Sequence, residues 1–229
     1  MLALRPIPEP GASLSCDAWS APGRAGVILD LDSGEPFAEW RADNPIDAPP
    51  VPSPQPAAPR LAPWSGWIIG DDDRPSPHTW TPEGWKALDR WLDDTLPRLD
   101  ASGHALLLRP DAGHILSDAR SCLSILQQRQ TPNLRLLLDP VAMLTPDMLP
   151  DAEDHLRRFL DALLHHPATA AVILTDATPE RDRLTPRALG DGVLDPGLLD
   201  RLIERVLAAE VPPVLLGDPA PQLARLPAP

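Results

Sequence analysis

Five apolar stretches of this chain each run directly into an aspartate: Ile68-Ile69-Gly70-Asp71, Leu106-Leu107-Leu108-Arg109-Pro110-Asp111, Leu136-Leu137-Leu138-Asp139, Val172-Ile173-Leu174-Thr175-Asp176 and Val214-Leu215-Leu216-Gly217-Asp218. A strand buried on both faces needs apolar residues at every position, the pattern of a parallel sheet covered by helices. The carboxyl ends of such strands are where α/β proteins bind ligands, which makes these aspartates candidate site residues. Aspartate is equally a favoured turn and helix N-cap residue, and in a βαβ repeat a cap belongs at the same place. Both readings apply to each of the five.

The spacing predicts strands at 64–70, 104–110, 134–140, 170–176 and 212–217, with further candidates at 27–31 and 2–7. Helical patterns fill the gaps. Thr81-Pro82-Glu83 offers an N-cap, a first-turn proline and an acid that suits the helix dipole. Ser117-Asp118 opens the next, with Leu123 and Leu126 expected to face inward. Thr145-Pro146-Asp147 begins a short turn before a helix near 151–166, where Leu156, Phe159, Leu160, Leu163 and Leu164 recur at helical spacing. Asp195-Pro196 starts the last. Strands 30–40 residues apart with a helix in each gap are βαβ architecture. A full eight-unit barrel takes about 250 residues, and no convincing helix follows residue 31. The expectation is an α/β fold, a (β/α) TIM-type barrel that is incomplete or irregular in its N-terminal third.

Composition supports that asymmetry. Proline is 32 of 229 residues, and 44–63 reads NPIDAPPVPSPQPAAPRLAP. Such a segment makes neither a regular helix nor a central strand, because proline lacks the donor and restricts its predecessor. All seven tryptophans fall within the first 91 residues, where indoles either fill volume or close a pocket. The chain therefore divides into an irregular segment 1–43 with a strand near 26–32, a Pro-rich linker or strap 44–63, and a barrel portion 64–229. A formal charge of −13 argues against a nucleic-acid partner. No apolar stretch is long enough to span a bilayer, and Met1-Leu2-Ala3-Leu4-Arg5-Pro6 lacks a signal-peptide core. Two cysteines, Cys16 and Cys122, make no disulfide framework, so the expected compartment is the cytoplasm.

Three motifs go further. Leu137-Leu138-Asp139-Pro140, Val172-Ile173-Leu174-Thr175-Asp176-Ala177 and Leu189-Gly190-Asp191-Gly192-Val193-Leu194-Asp195 lie in the order and spacing of the xylose isomerase-like barrels. The stretch from His104 to Asp218 resembles that superfamily, the sugar phosphate isomerases and epimerases. The resemblance implies a divalent metal such as Mn²⁺ or Mg²⁺ held by two glutamates, an aspartate and a histidine at strand ends. It places the aspartate at Asp139, the first glutamate near Arg109, the histidine near Ile173 and the second glutamate near Leu216 or Gly217. Ala142 stands where a further histidine often follows. One ligand in four remains. A lone carboxylate holds a hard dication weakly, and a guanidinium in the same cavity repels it. The implied cofactor is therefore expected to be lost, with a salt bridge from Arg109 to Asp139 as the alternative use of both groups.

These residues leave three functions open. The first is a non-catalytic barrel, a pseudoenzyme, that binds a small polar or sugar-like ligand. The second is an isomerase or epimerase with a relocated site using Asp139, Asp176, Arg109 and His114, with Arg109, Asp111, Asp191 and Asp218 binding substrate. The third is an interaction module, such as a homodimer, formed where an incomplete barrel leaves an open sheet edge. Asp71-Asp72-Asp73 reads as a solvated turn or as part of a displaced cation site, His114 as a base or a polar loop residue. Cys122 reads as packed in a helix.

Overall fold

The computed structural model describes residues 1–6, 26–41, 43–47, 58–70, 74–180 and 183–226. Eight of its strands close into a barrel, and two form a separate hairpin. The barrel strands are β1 (Leu2–Pro6), β2 (Gly26–Asp30), β3 (Pro36–Trp40), β4 (Arg60–Ala62), β5 (Ala105–Leu108), β6 (Leu134–Leu138), β7 (Thr169–Leu174) and β10 (Pro213–Leu216). The hairpin is β8 (Asp176–Glu180) with β9 (Arg183–Arg187), and helices α1 (Pro82–Ala101), α2 (Ala119–Arg129), α3 (Ala152–Leu163) and α4 (Pro196–Ala208) are the crossovers.

From β4 onward every neighbouring pair is parallel, and β10 closes onto β1 in parallel as well. The irregularity lies in β2, which runs antiparallel to both β1 and β3. Among the described residues of the first 40, antiparallel pairing of β1, β2 and β3 therefore takes the place of an all-parallel arrangement. All eight strands are paired on both sides, so the barrel has no open edge, and an interaction module resting on one loses its basis.

The uninterrupted leucines are explained by two cores. Leu107, Leu137 and Ile173 join Leu4, Ile28 and Val214 inside the barrel, while Leu106, Leu108, Leu136 and Leu174 pack outward against the helices. Alternation of side chains along each strand serves both. The expected caps are in place: Thr81 accepts from Glu83 N, Asp118 forms a capping box with Ser121, and Asp195 accepts from Leu198 N. The stripe of α3 is buried as expected. In α2 the buried residues are Cys122 and Ile125, with Leu123 and Leu126 only partly covered, so the helix is rotated by about one position from the sequence expectation.

Two strands differ from expectation. The strand expected at 64–70 is β4, at Arg60–Ala62, registered Arg60 to Ala105 and Leu61 to Leu106. Pro63 then removes a donor, Gly66 takes φ +82°, and the Asn44 side chain binds both Trp67 N (3.1 Å) and Trp67 O (2.7 Å). These contacts turn 64–70 into a loop over the strand ends. The strand β3 and the hairpin β8–β9 were not expected; their prolines at 36, 179 and 186 are accommodated at a terminal position or in a two-stranded ribbon. Residues 71–73 and 48–57 lie outside the described residues. Among the described residues, no helix is long and apolar enough to cross a membrane.

Gly84 gives a test of packing against propensity. Alanine is favoured over glycine inside a helix by about 1 kcal/mol, but a Cβ here would run into the backbone carbonyl of Thr79, a residue anchored through its Oγ1, which accepts from Ile68 N. Gly84→Ala is expected to lower stability by about 1–3 kcal/mol; urea unfolding reads the sign directly.

Candidate functional site

Arg109 follows the last residue of β5 and has the parity of Leu107, so its side chain enters the barrel mouth. Its backbone is zipped to the Trp64 loop, donating N–H to Pro63 O (3.0 Å) and accepting from Ser65 N (2.9 Å). The guanidinium is fully buried. Its central carbon lies 3.2 Å from the ring centre of Trp40 and 3.7 Å from that of Trp64. Nη2 donates to the Arg41 carbonyl at 2.5 Å, while Nε and Nη1 have no hydrogen-bond partner among the described residues. Burial pushes this group well below its ordinary range, opposed by the carboxylates of Asp139, Asp111 and Asp43.

Three further expected residues gather around it. Asp139, 1% exposed just past β6, accepts from Ala142 N (3.2 Å) and Thr175 Oγ1 (3.4 Å). Burial raises it to about 6, with Arg109 opposing and Asp111 adding. Asp111 accepts from Gly113 N at 2.7 Å and is also raised to about 6 by desolvation, although its side chain keeps 30% exposure. His114 stacks on Trp67 (4.7 Å between centres, 13°) and meets Trp64 edge-on at 5.0 Å. Burial, with Arg109 adding, lowers it to about 3, so the imidazole is neutral at pH 7. Its Nε2 stands 4.0 Å from Asp111 Oδ1.

The other expected residues have different geometries. Asp176 is buried with both oxygens engaged: Oδ1 accepts from Ala177 N (2.7 Å) and Leu194 N (3.0 Å), Oδ2 from Gly192 N (3.0 Å). It is the post around which loop 190–195 wraps, and a Cβ on Gly192 would strike it. Asp191 is exposed on that loop. Asp218 is exposed and caps α5 (Pro219–Leu223) by accepting from Ala220 N.

The alternative of a direct Arg109–Asp139 salt bridge is corrected. No ion pair joins the two, because Trp40, Trp64 and the Arg41 carbonyl hold the guanidinium while Ala142 and Thr175 hold the carboxylate. Sequence reasoning missed the walls of the site, Trp40, Trp64 and Trp67, together with Ser65. The crowding of tryptophans into the first 91 residues was the available signal. Which of them line the mouth depends on β3 and on the displaced 64–70 loop.

The donor set does not fit a divalent ion. A permanent cation occupies the position where the resemblance puts a glutamate, and among the described residues no group of three or more His, Cys, Asp or Glu side chains is assembled to hold a metal.

Comparison with solved structures finds similarity to a xylose isomerase domain protein from Planctomyces limnophilus, with 18% identity over 73% of this chain and 55% of that one, at a TM-score of 0.47. The probable 3-DHS dehydratase involved in petrobactin synthesis from Bacillus anthracis is similar at 14% identity, over 73% of this chain and 61% of that one, with a TM-score of 0.47. A xylose isomerase-like TIM barrel protein from Mycobacterium smegmatis, in complex with magnesium, is similar at 10% identity, over 69% and 54%, with a TM-score of 0.49. The chain thus spans between 54% and 61% of the length of these structures. No family model and no curated protein matches it.

Two outcomes follow from the site. Asp111 and Asp139, raised from 3.8 to about 6, contribute stability that is complete below pH 4 and lost as pH rises through 6. His114, lowered from 6.5 to about 3, works the other way: stability is lost as pH falls below 6.5. The wild type should therefore change little between pH 7 and 5. His114→Asn should gain stability on acidification, and the Asp111→Asn/Asp139→Asn double variant should lose it, as read by urea midpoints. Asp176→Ala leaves three buried backbone donors unpaired and is expected to cost about 2–4 kcal/mol, with hydrogen exchange accelerated first at Gly192 and Leu194.

Proposed function

We propose that this chain is a sugar isomerase/epimerase-type barrel that has given up its metal and the reaction that depends on it, and that its mouth holds a small polar ligand without turning it over. The observation that carries this reading is Arg109, fully buried against two indoles at the strand ends. Metal-dependent isomerisation needs a Lewis acid on the substrate's carbonyl and hydroxyl oxygens and a carboxylate to move the proton. Asp139 is the one carboxylate left from the implied ligand set. A dication placed beside it would sit close to a guanidinium in a medium that screens poorly.

A metal-free proton transfer using Asp139, His114 and Arg109 is the second reading, favoured by the raised Asp139 carboxyl, which suits acid–base exchange near neutral pH. Against it, acid–base catalysis needs the base within hydrogen-bond reach of the proton it takes, and both candidate groups are already engaged: Asp139 accepts from Ala142 N and Thr175 Oγ1, and His114 is stacked on Trp67.

Isothermal titration with MnCl₂ and MgCl₂ is expected to show no specific binding, equally in the wild type and in Asp139→Ala. Tight Mn²⁺ binding that disappears in Asp139→Ala would refute the proposal. Turnover of any member of a ketose, aldose and sugar phosphate panel would select the second reading instead.

A further inference from the structure

Buried polar atoms without partners are rare in folded proteins, and here they are concentrated. Arg109 Nε, Arg109 Nη1, Ser65 Oγ and His114 Nδ1 all lack a hydrogen bond among the described residues. They belong to one assembly. Ser65 N bonds the Arg109 carbonyl, and His114 lies against Trp64, whose ring also touches the guanidinium. Among the described residues the same condition is met elsewhere by Arg41 Nε, Thr95 Oγ1, Arg129 Nε and Thr185 Oγ1.

The geometry points to a binding site for a small oxyanion, a carboxylate or phosphate group, received by the free Nε and Nη1 donors of Arg109 with Ser65 Oγ as a further donor. This deepens the ligand-holding reading of the mouth and rests on it. The chemistry of the unpaired atoms selects the guest. The two unpaired nitrogens of Arg109 can only donate, and the group is cationic, so an acceptor-rich anion satisfies more of them than a neutral hydroxyl. The Trp40 and Trp64 ring centres lie 3.2 and 3.7 Å from the guanidinium carbon, and neither ring supplies an acceptor to Nε or Nη1. Asp111, 30% exposed at its side chain, and the half-buried Trp64 and Trp67 form the wall nearest solvent.

The surrounding charges are Asp139, Asp111 and Asp43, which act on Arg109, Arg183 of β9, which acts on Asp111, and Arg41, which is paired with Glu39 at 2.6 Å.

The test uses the full chain and two probes, sodium acetate and inorganic phosphate, each against sodium chloride at matched ionic strength. Melting temperature and tryptophan emission are read at pH 7.5. The expected result is a saturable shift with at least one oxyanion, absent with chloride. Acetate without phosphate would identify a carboxylate ligand, and the reverse a phosphate. Ser65→Ala, which leaves Arg109 in place, should weaken binding roughly three- to tenfold, and Arg109→Lys should abolish it. No shift beyond chloride, or an unchanged shift in both variants, overturns the inference. Its failure is separable from that of the metal-free reading, which Mn²⁺ titration decides without any oxyanion present.

Discussion

A guanidinium in the mouth of a barrel is an expensive thing to bury, and the rest of the site is organised around it. Removing a charge from water costs several kcal/mol even after relaxation. Here the cost is offset by cation–π contact with two indoles, each worth about 2 kcal/mol where water is excluded. The Arg41 carbonyl adds a hydrogen bond, and Asp139, Asp111 and Asp43 supply compensating field. Because the partners come from β3, the loop after β4, β5 and the end of β6, the cation joins the antiparallel strands to the parallel part of the barrel. A metal ion would do comparable joining with carboxylates and imidazoles. This chain does it with its own side chain, the observation on which the proposed non-catalytic reading rests.

The irregular N-terminal third follows from the same economy of chain. Strands β1, β2 and β3 close the sheet by a hairpin and a reversed strand, which needs no helix-bearing crossover between them. Closure brings Trp40 to the end of β3 and so to the face of Arg109. Had the first third been ordinary β/α units, the wall on that side of the mouth would have come from different residues. The irregular pairing of the first strands and the burial of Arg109 are physically connected through Trp40.

Much of the second half was legible. The runs at Leu106, Leu136, Val172 and Val214 gave parallel strands close to their observed limits, and Thr81, Asp118 and Asp195 marked helix starts because caps are local chemistry. Arg109, Asp111, His114 and Asp139 lie near one another because strand order and parity put strand-end residues on one rim. The role of Asp176 was not legible, because a buried carboxylate that accepts three amides and one that faces a ligand look identical in sequence. Strand β4 was misplaced by four residues, since apolar 64–70 outscored Arg60-Leu61-Ala62 on hydrophobicity while Asn44 and Gly66 decided the matter from outside the segment.

What the sequence determined alone were the properties set by neighbours along the chain: the βαβ rhythm, the caps, and an arginine where the resemblance implies a metal ligand. Tertiary structure decided how the barrel closes, which tryptophans flank Arg109, and that Arg109 stacks rather than pairing with Asp139. The division has a physical cause. Hydrogen-bond periodicity and capping act within a few residues, whereas strand order and the solvation of a buried charge depend on segments as far apart as Arg41 and Arg109, which meet only when the sheet has closed.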